Sequence, residues 1–114
     1  MDKTEKVNEY KRICRQIVER HAAMLGEPAS VESLAVCDHE SGNYLLMDIG
    51  WYPKERAHYV TVHLRIKDGK VWVEYDGIEY GIAQDLIEAG IPEEDIAWPS
   101  DERDHKKLAE LVAA

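Results

Sequence analysis

The chain has 114 residues, of which 45% are hydrophobic and 32% are charged, a composition typical of one soluble globular domain over residues 1–114. It carries 23 acidic against 14 basic residues, a formal charge of −9, and has no run of Lys and Arg, so direct binding to DNA or RNA is disfavoured. Neither a membrane-spanning apolar run nor a signal-peptide pattern is present, and we expect a cytoplasmic protein.

An amphipathic helix is the first predicted element, from about Asp2 to Leu25. Gly26 and Pro28 end it, because Gly is a common C-cap and Pro cannot continue a helix. Its apolar stripe favours packing on a sheet over a coiled coil, and His21 on that stripe is more typical of a hydrogen-bonded core residue than of a ligand. The stripe consists of Val7, Tyr10, Cys14, Ile17, Val18, His21, Met24 and Leu25.

Two strands are predicted next, Val31 to Asp38 and Tyr44 to Trp51, joined by a turn-rich segment at residues 39–43. In the second strand the odd positions, from Leu45 to Trp51, are all apolar, whereas the even positions include Asp48 and Gly50. We therefore expect the odd positions to face the core.

The most strongly patterned segment is Tyr59 to Asp76, a predicted β-hairpin around Asp68-Gly69, a dipeptide that favours a two-residue turn. Pairing outward from this turn gives one apolar face and one mixed face. On the apolar face Ile66 lies opposite Val71, Leu64 opposite Val73 and Val62 opposite Tyr75; on the mixed face Arg65 lies opposite Trp72 and His63 opposite Glu74.

Short helices are predicted after the sheet. Gly81 to Ala89 has apolar residues at helical spacing and is closed by Gly90, and Pro92 to Asp95 starts a further helical turn. Asp101 to Val112 is predicted as a last helix. The four strands have short links, so the sequence predicts an α+β fold with an N-terminal helix, a four-stranded antiparallel meander sheet and short C-terminal helices.

The residues that usually carry catalysis are not arranged for it. The histidines lack the spacing of a metal site, Cys14 and Cys37 stand singly, and no phosphate-binding glycine loop or nucleophile elbow is present. His63 and Glu74 are more typical of a solvated pair than of an oriented base, and the acids at 93–95 are more typical of a helix start than of a cation site. We expect no catalytic residues, no cofactor and no metal.

Two segments make the chain resemble the XisI family, the fdxN element excision controlling factors. The first is His63 to Val73 with the flanking Ile49-Gly50-Trp51 and Asp76-Gly77, and the second is Gly81 to Ile96. The likeness covers roughly residues 5–96. After Ile96 the chain departs from the family pattern, since Ala97-Trp98-Pro99-Ser100 leads into a charged helix rather than an apolar stretch with an aromatic-rich tail.

The resemblance implies an α+β fold with helices against a curved antiparallel sheet. It also implies a role in cyanobacteria, where XisI and a companion, XisH, assist a recombinase in excising a DNA element during heterocyst development. We therefore expect a non-enzymatic accessory protein with a XisH-like, endonuclease-like partner, and the acidic charge is compatible with a basic partner. The alternative is a small-molecule-binding or enzymatic domain with a pocket between sheet and helices.

A candidate protein interface lies on the mixed face of the hairpin, because aromatic residues and Arg are enriched in interface cores. The partner is either a second copy, giving a homo-oligomer, or the XisH-like chain. Two other roles remain for its Trp72: stacking on Arg65 across the strands, or burial beneath the last helix. The candidate residues are Tyr59, His63, Arg65, Trp72 and Glu74.

The charge balance predicts that the isolated protein does not bind duplex DNA at physiological salt, because it has no basic cluster to neutralise phosphates. The measurement is a gel shift at micromolar protein in about 150 mM salt. Saturable binding that weakens with added salt would contradict this expectation.

Overall fold

The computed structural model describes residues 2–24 and 30–99. Within them no helix is long and apolar enough to cross a membrane. The elements, in chain order, are α1 (Lys3–Ala23), β1 (Val31–Asp38), β2 (Asn43–Trp51), β3 (Arg56–Lys67), β4 (Lys70–Asp76), α2 (Ala83–Glu88), a 3-10 turn (Glu93–Asp95) and β5 (Ile96–Ala97).

The strands form one sheet in the order β1-β2-β3-β4-β5. The first four are antiparallel to their neighbours, so the predicted meander and the α+β class are confirmed. The sequence did not indicate β5, a two-residue strand that pairs parallel to β4 through Val71 with Ile96 and Trp72 with Ala97.

Helix α1 begins at Asp2, whose side chain accepts a hydrogen bond from the Glu5 amide at 2.8 Å. One side of the helix packs on β1, β2 and β3, and most of the predicted stripe is buried there. Met24 was predicted on this stripe, but the helix ends at Ala23, and Met24 is the C-cap, with extended backbone and an exposed side chain. Leu25, Gly26 and Pro28 lie outside the described residues. The buried residues of α1 are Tyr10, Ile13, Cys14, Ile17, Val18 and His21.

Strand β2 faces the core with the opposite set of residues from the one predicted. Tyr44 and Leu46 are buried against α1, and the odd positions point to the other side of the sheet. The prediction was wrong because large apolar residues lie on both sides of this strand and the one acid, Asp48, has partners on the helix side, so alternation alone does not choose between the sides. Asp48 is tolerated on the helix side because its carboxylate accepts hydrogen bonds from the Ser33 and Thr61 hydroxyls.

The β3–β4 hairpin has the predicted turn and the predicted register up to Leu64 opposite Val73. A β-bulge then leaves Glu74 unpaired, so His63 lies opposite Tyr75 and Val62 opposite Asp76. The predicted pairs of Val62 with Tyr75 and His63 with Glu74 are therefore wrong. A second bulge, at Thr61 in β3, shifts the pairing with β2 between Leu46 and Met47.

The segment between β4 and α2 is held by the carboxylate of Asp76, which accepts hydrogen bonds from the Ile78 and Ile82 amides. The backbone at Gly77 passes so close to Thr61 that an added Cβ would lie 2.8 Å from the Thr61 carbonyl oxygen. Ile82 and Leu86 are then fully buried, although Ile87 is exposed. The predicted helix from Asp101 to Val112 lies outside the described residues.

The turn geometry predicts the effect of substituting Gly69. Its φ is +73°, beside Asp68 at +54°, and an added Cβ would meet no atom within 4 Å. Gly69→Val should lower the free energy of unfolding by roughly 1–3 kcal/mol, because a β-branched residue is strained at positive φ. Gly69→Asn should cost less, since Asn tolerates this conformation. Denaturant unfolding of the two variants measures the difference, and equal stabilities would mean that backbone strain is not the cause.

Candidate protein-binding face

The side of the sheet that faces away from α1, called the outer face below, is largely apolar. Residues directly opposite each other on antiparallel strands share a face, so the register assigns them. Leu34 and Val36 are 37% and 44% exposed, and no described element covers them. The apolar outer-face residues of β1, β2 and β3 are Leu34, Val36, Leu45, Met47, Ile49 and Val60.

Aromatic and cationic side chains border this apolar area. The Trp72 indole donates a hydrogen bond to the Lys67 carbonyl oxygen at 3.1 Å, and the Lys67 ammonium lies 6.0 Å from the indole centroid. At the other end, Arg56 lies 5.5 Å from the ring of Trp51, which is 58% exposed. Both indoles are therefore held by a neighbouring cation while part of each ring stays accessible.

Three of the five predicted interface residues come together on the outer face. Arg65 lies opposite Trp72 as predicted. His63 lies two residues before Arg65 in β3 and shares its face. The cation recorded over the Trp72 ring is Lys67, not the Arg65 of the predicted stacking contact. The other predicted role, burial of Trp72 beneath the helix from Asp101 to Val112, involves a segment outside the described residues.

The two bulges displace the other two candidates. Tyr59 lies opposite Asp48, on the helix side of the sheet, where its hydroxyl is 3.2 Å from that of Tyr52. The prediction that Tyr59 lies on the mixed face was therefore wrong. Glu74 occupies the bulge and has no residue opposite it. Its negative charge still acts to raise the pKa of His63.

His63 has a defined partner on the next strand, since its Nε2 lies 2.8 Å from Oδ1 of Asn43. Burial lowers the pKa of His63, and this effect, with the nearby Arg65, outweighs the opposite influence of Glu74. The imidazole is therefore mainly neutral at pH 7, and it contributes a hydrogen-bonding group rather than a charge to the outer face.

A second polar cluster joins the two helices on the opposite side of the sheet. His21 Nε2 lies 2.8 Å from Oδ2 of Asp85, and the Tyr80 hydroxyl donates to the same oxygen at 2.7 Å. Arg20 is 3.5 Å from the other carboxylate oxygen. His21 is thus the buried, hydrogen-bonded residue predicted from its place on the stripe.

Asp85 was not predicted from the sequence as the partner of His21. Burial raises the pKa of Asp85, but hydrogen bonds from His21 and Tyr80, with the charges of His21 and Arg20, outweigh burial and bring the pKa below its ordinary value. The available signal was the position of Asp85 directly before Leu86, an apolar residue of a short amphipathic helix. An acid beside the apolar side of such a helix lies close to the core.

The described residues include no group of three or more His, Cys, Asp or Glu side chains placed to bind a metal. Burial raises the pKa of the Cys14 thiol to about 12 and also raises that of Cys37, which makes both poor nucleophiles at neutral pH. A cleft of about 550 Å³ lies between the start of α1 and the hairpin turn. Its lining consists of Lys3, Lys6, Val7, Asp68, Gly69, Lys70 and Asp95.

The family model described as XisI protein matches residues 1–112. The chain belongs to the XisI family. Both fold and family therefore agree with the resemblance read from the hairpin and the Gly81 to Ile96 segment. No curated protein matches the chain.

Two crystal structures from Anabaena variabilis resemble this XisI-family chain, each with 27% sequence identity. A XisI-like protein matches with a TM-score of 0.73 over 80% of this chain and 84% of its own. The fdxN element excision controlling factor XisI matches with a TM-score of 0.69 over 84% of this chain and 93% of its own. This chain is thus a homologue of an excision controlling factor.

The Asp85 cluster gives a pH-dependent prediction. Asp85→Ala should lower the free energy of unfolding at pH 7 by about 1–3 kcal/mol, because it removes the carboxylate partner of the buried His21. The folded-state pKa of Asp85 lies below 3.8, so its contribution is complete above that pH and is lost as the pH falls through the folded-state value. The difference between parent and variant should therefore shrink in strong acid.

Glu88→Ala is the matched control, since it removes an exposed carboxylate from the same helix. It should change stability by no more than about 0.5 kcal/mol. Chemical denaturation of the three proteins between pH 7 and pH 3 makes the comparison, and a constant deficit for Asp85→Ala over this range would contradict the ionised role of Asp85.

Proposed function

We propose that this protein is a non-enzymatic accessory factor in the excision of a DNA element, and that it acts by binding a XisH-like, endonuclease-like partner through the outer face. Membership of the XisI family and the likeness to an fdxN element excision controlling factor support the setting.

One observation carries the choice of surface: the outer face has contiguous apolar side chains that no described element covers. A contiguous group of exposed and half-exposed apolar side chains is costly in water and marks interaction sites on soluble proteins. The half-buried Trp72 beside this area has the character of an interface anchor.

The charges of the outer face differ from those of the whole chain. Arg65, Lys67 and Lys70 lie around Trp72, whereas the chain carries a formal charge of −9. The net charge acts at long range and attracts a basic partner, while these local cations favour carboxylates around the apolar centre of the partner's surface.

The alternative function, a small-molecule-binding or enzymatic domain, has less support. The cleft at the start of α1 has a volume within the range of ligand sites, but its lining contains no His, Cys or Ser. Lys6 and Asp95 in its wall already form an ion pair at 2.8 Å, and Asp95 also accepts a hydrogen bond from Tyr10. These contacts hold the 3-10 turn against α1, so the charged groups of the cleft have a structural role.

Substitution of Trp72 tests the proposed surface. Trp72→Ser should weaken association with a XisH-like protein from the same host by about tenfold or more, because it removes a large anchor from the contact. The melting temperature should change little, since the indole is only partly buried. Calorimetric titration gives the affinity, and thermal unfolding gives the stability.

Tyr59→Ser is the control for the Trp72 substitution. Tyr59 is an exposed aromatic residue of the same sheet on the helix side, so its loss should leave the affinity unchanged. Trp72 is a core residue instead if Trp72→Ser removes about 3–5 kcal/mol of stability. Parent-like affinity together with parent-like stability would refute the proposed surface.

A further inference from the structure

In the part of the chain that the structure describes, the outer edge of β1 is an unprotected strand edge. Among residues 2–24 and 30–99, β1 pairs only with β2, so its other side is open. Natural edge strands are usually protected by Pro, Lys, a bulge or shortness. β1 has eight residues, contains neither Pro nor Lys, and pairs with β2 without a break in register from Val31 to Asp38.

The hydrogen bonds to β2 show which backbone groups are free. The Trp51 amide donates to the Ser30 carbonyl oxygen at 3.2 Å, which makes this a hydrogen-bonded pair. Bonded and non-bonded positions alternate along an antiparallel strand, so the even-numbered residues of β1 bond to β2. The backbone amides and carbonyls of Val31, Ser33, Ala35 and Cys37 therefore point away from the sheet.

From this edge we infer that two copies of the chain pair antiparallel through β1 and join their sheets. The two-fold axis passes at Leu34. In this register Val31 pairs with Cys37 and Ser33 with Ala35 of the second copy, and about eight backbone hydrogen bonds form. The inference does not rest on the proposed function.

This register is the one that uses every free position of the edge. A shift by one residue in each copy, with Ala35 on the axis, uses only three of those positions. It also places Glu32 opposite Asp38 of the second copy, and like charges in directly opposed positions are unfavourable. With Leu34 on the axis, the Leu34 side chains of the two copies lie opposite each other, and Glu32 of one copy lies opposite Val36 of the second copy.

The neighbouring part of α1 is compatible with a second copy beside it. Lys11 bonds to the His39 carbonyl at 2.6 Å, and Arg15 and Glu19 both act on the Cys37 thiol, so these side chains lie near the edge. They carry both signs of charge, and a second copy meets a mixed surface there. The strongly negative whole chain still repels its copy at long range, so added salt should favour the pair.

Two lysine substitutions test this pairing with opposite expectations. Leu34→Lys places two ammonium groups opposite each other on the axis and should raise the dimer dissociation constant about tenfold or more. Val36→Lys places its ammonium opposite Glu32 of the second copy and should leave the dimer intact or strengthen it. Both residues are exposed on the same face of the same strand, so circular dichroism should show both variants folded.

Light scattering on the isolated parent between about 1 and 100 μM protein, in 150 and 500 mM salt, should give twice the mass of the chain. A parent that stays monomeric under these conditions overturns the inference, as does a dimer that both lysine variants leave unchanged. A strand edge used only by a different protein would give the monomeric result.

Cysteine cross-linking reads the register directly and does not depend on equilibrium affinity. In a Cys37→Ala background, Leu34→Cys places two thiols on a non-hydrogen-bonded pair with Cα atoms about 4.5 Å apart, which suits a disulfide. Val36→Cys places them about 13 Å apart, which does not. A covalent dimer from Leu34→Cys but not from Val36→Cys is expected, and the reverse result overturns the register.

Discussion

Within the described residues, the five-stranded sheet is covered by helices on one side only, and this constraint determines most of the structure. Helix α1 buries one side of β1, β2 and β3 through the fully buried Cys14 and Val18, while α2 adds Ile82 and Leu86. Within the described residues nothing remains to cover the other side of the sheet. Among the described residues the apolar outer face therefore follows from having helices on one side of the sheet, and it is the feature on which the proposed protein partner rests.

The two β-bulges decide which side chains share a surface. Each adds one residue to one strand, and every side chain beyond it changes face relative to a regular ladder. The bulge at Thr61 moves Tyr59 to the helix side, and the bulge at Glu74 brings Tyr75 opposite His63. The chemistry of the outer face thus depends on backbone irregularities as much as on residue type.

The polar contacts that lock the helices are remote in sequence. Asp85 forms a hydrogen bond with His21, and Asp95 accepts a hydrogen bond from Tyr10 and forms an ion pair with Lys6. Residues near the end of the described chain therefore hold α1, the first helix of the chain, in place. Each acid is partnered, as buried and half-buried carboxylates require. These contacts give both acids a structural role.

Local chemistry was sufficient to predict α1 and the first four strands of this protein. Helical spacing predicted α1, the Asp68-Gly69 turn fixed the hairpin near its tip, and short links gave the antiparallel meander, because these depend on neighbours in sequence. The family segments also lie in contiguous stretches. Only the tertiary structure decided which side of β2 faces the core, where the bulges fall, that β5 joins the sheet and that Asp85 meets His21. Large apolar residues lie on both faces of β2, and a bulge has no reliable residue signature, so these choices depend on packing and pairing between distant parts of the chain.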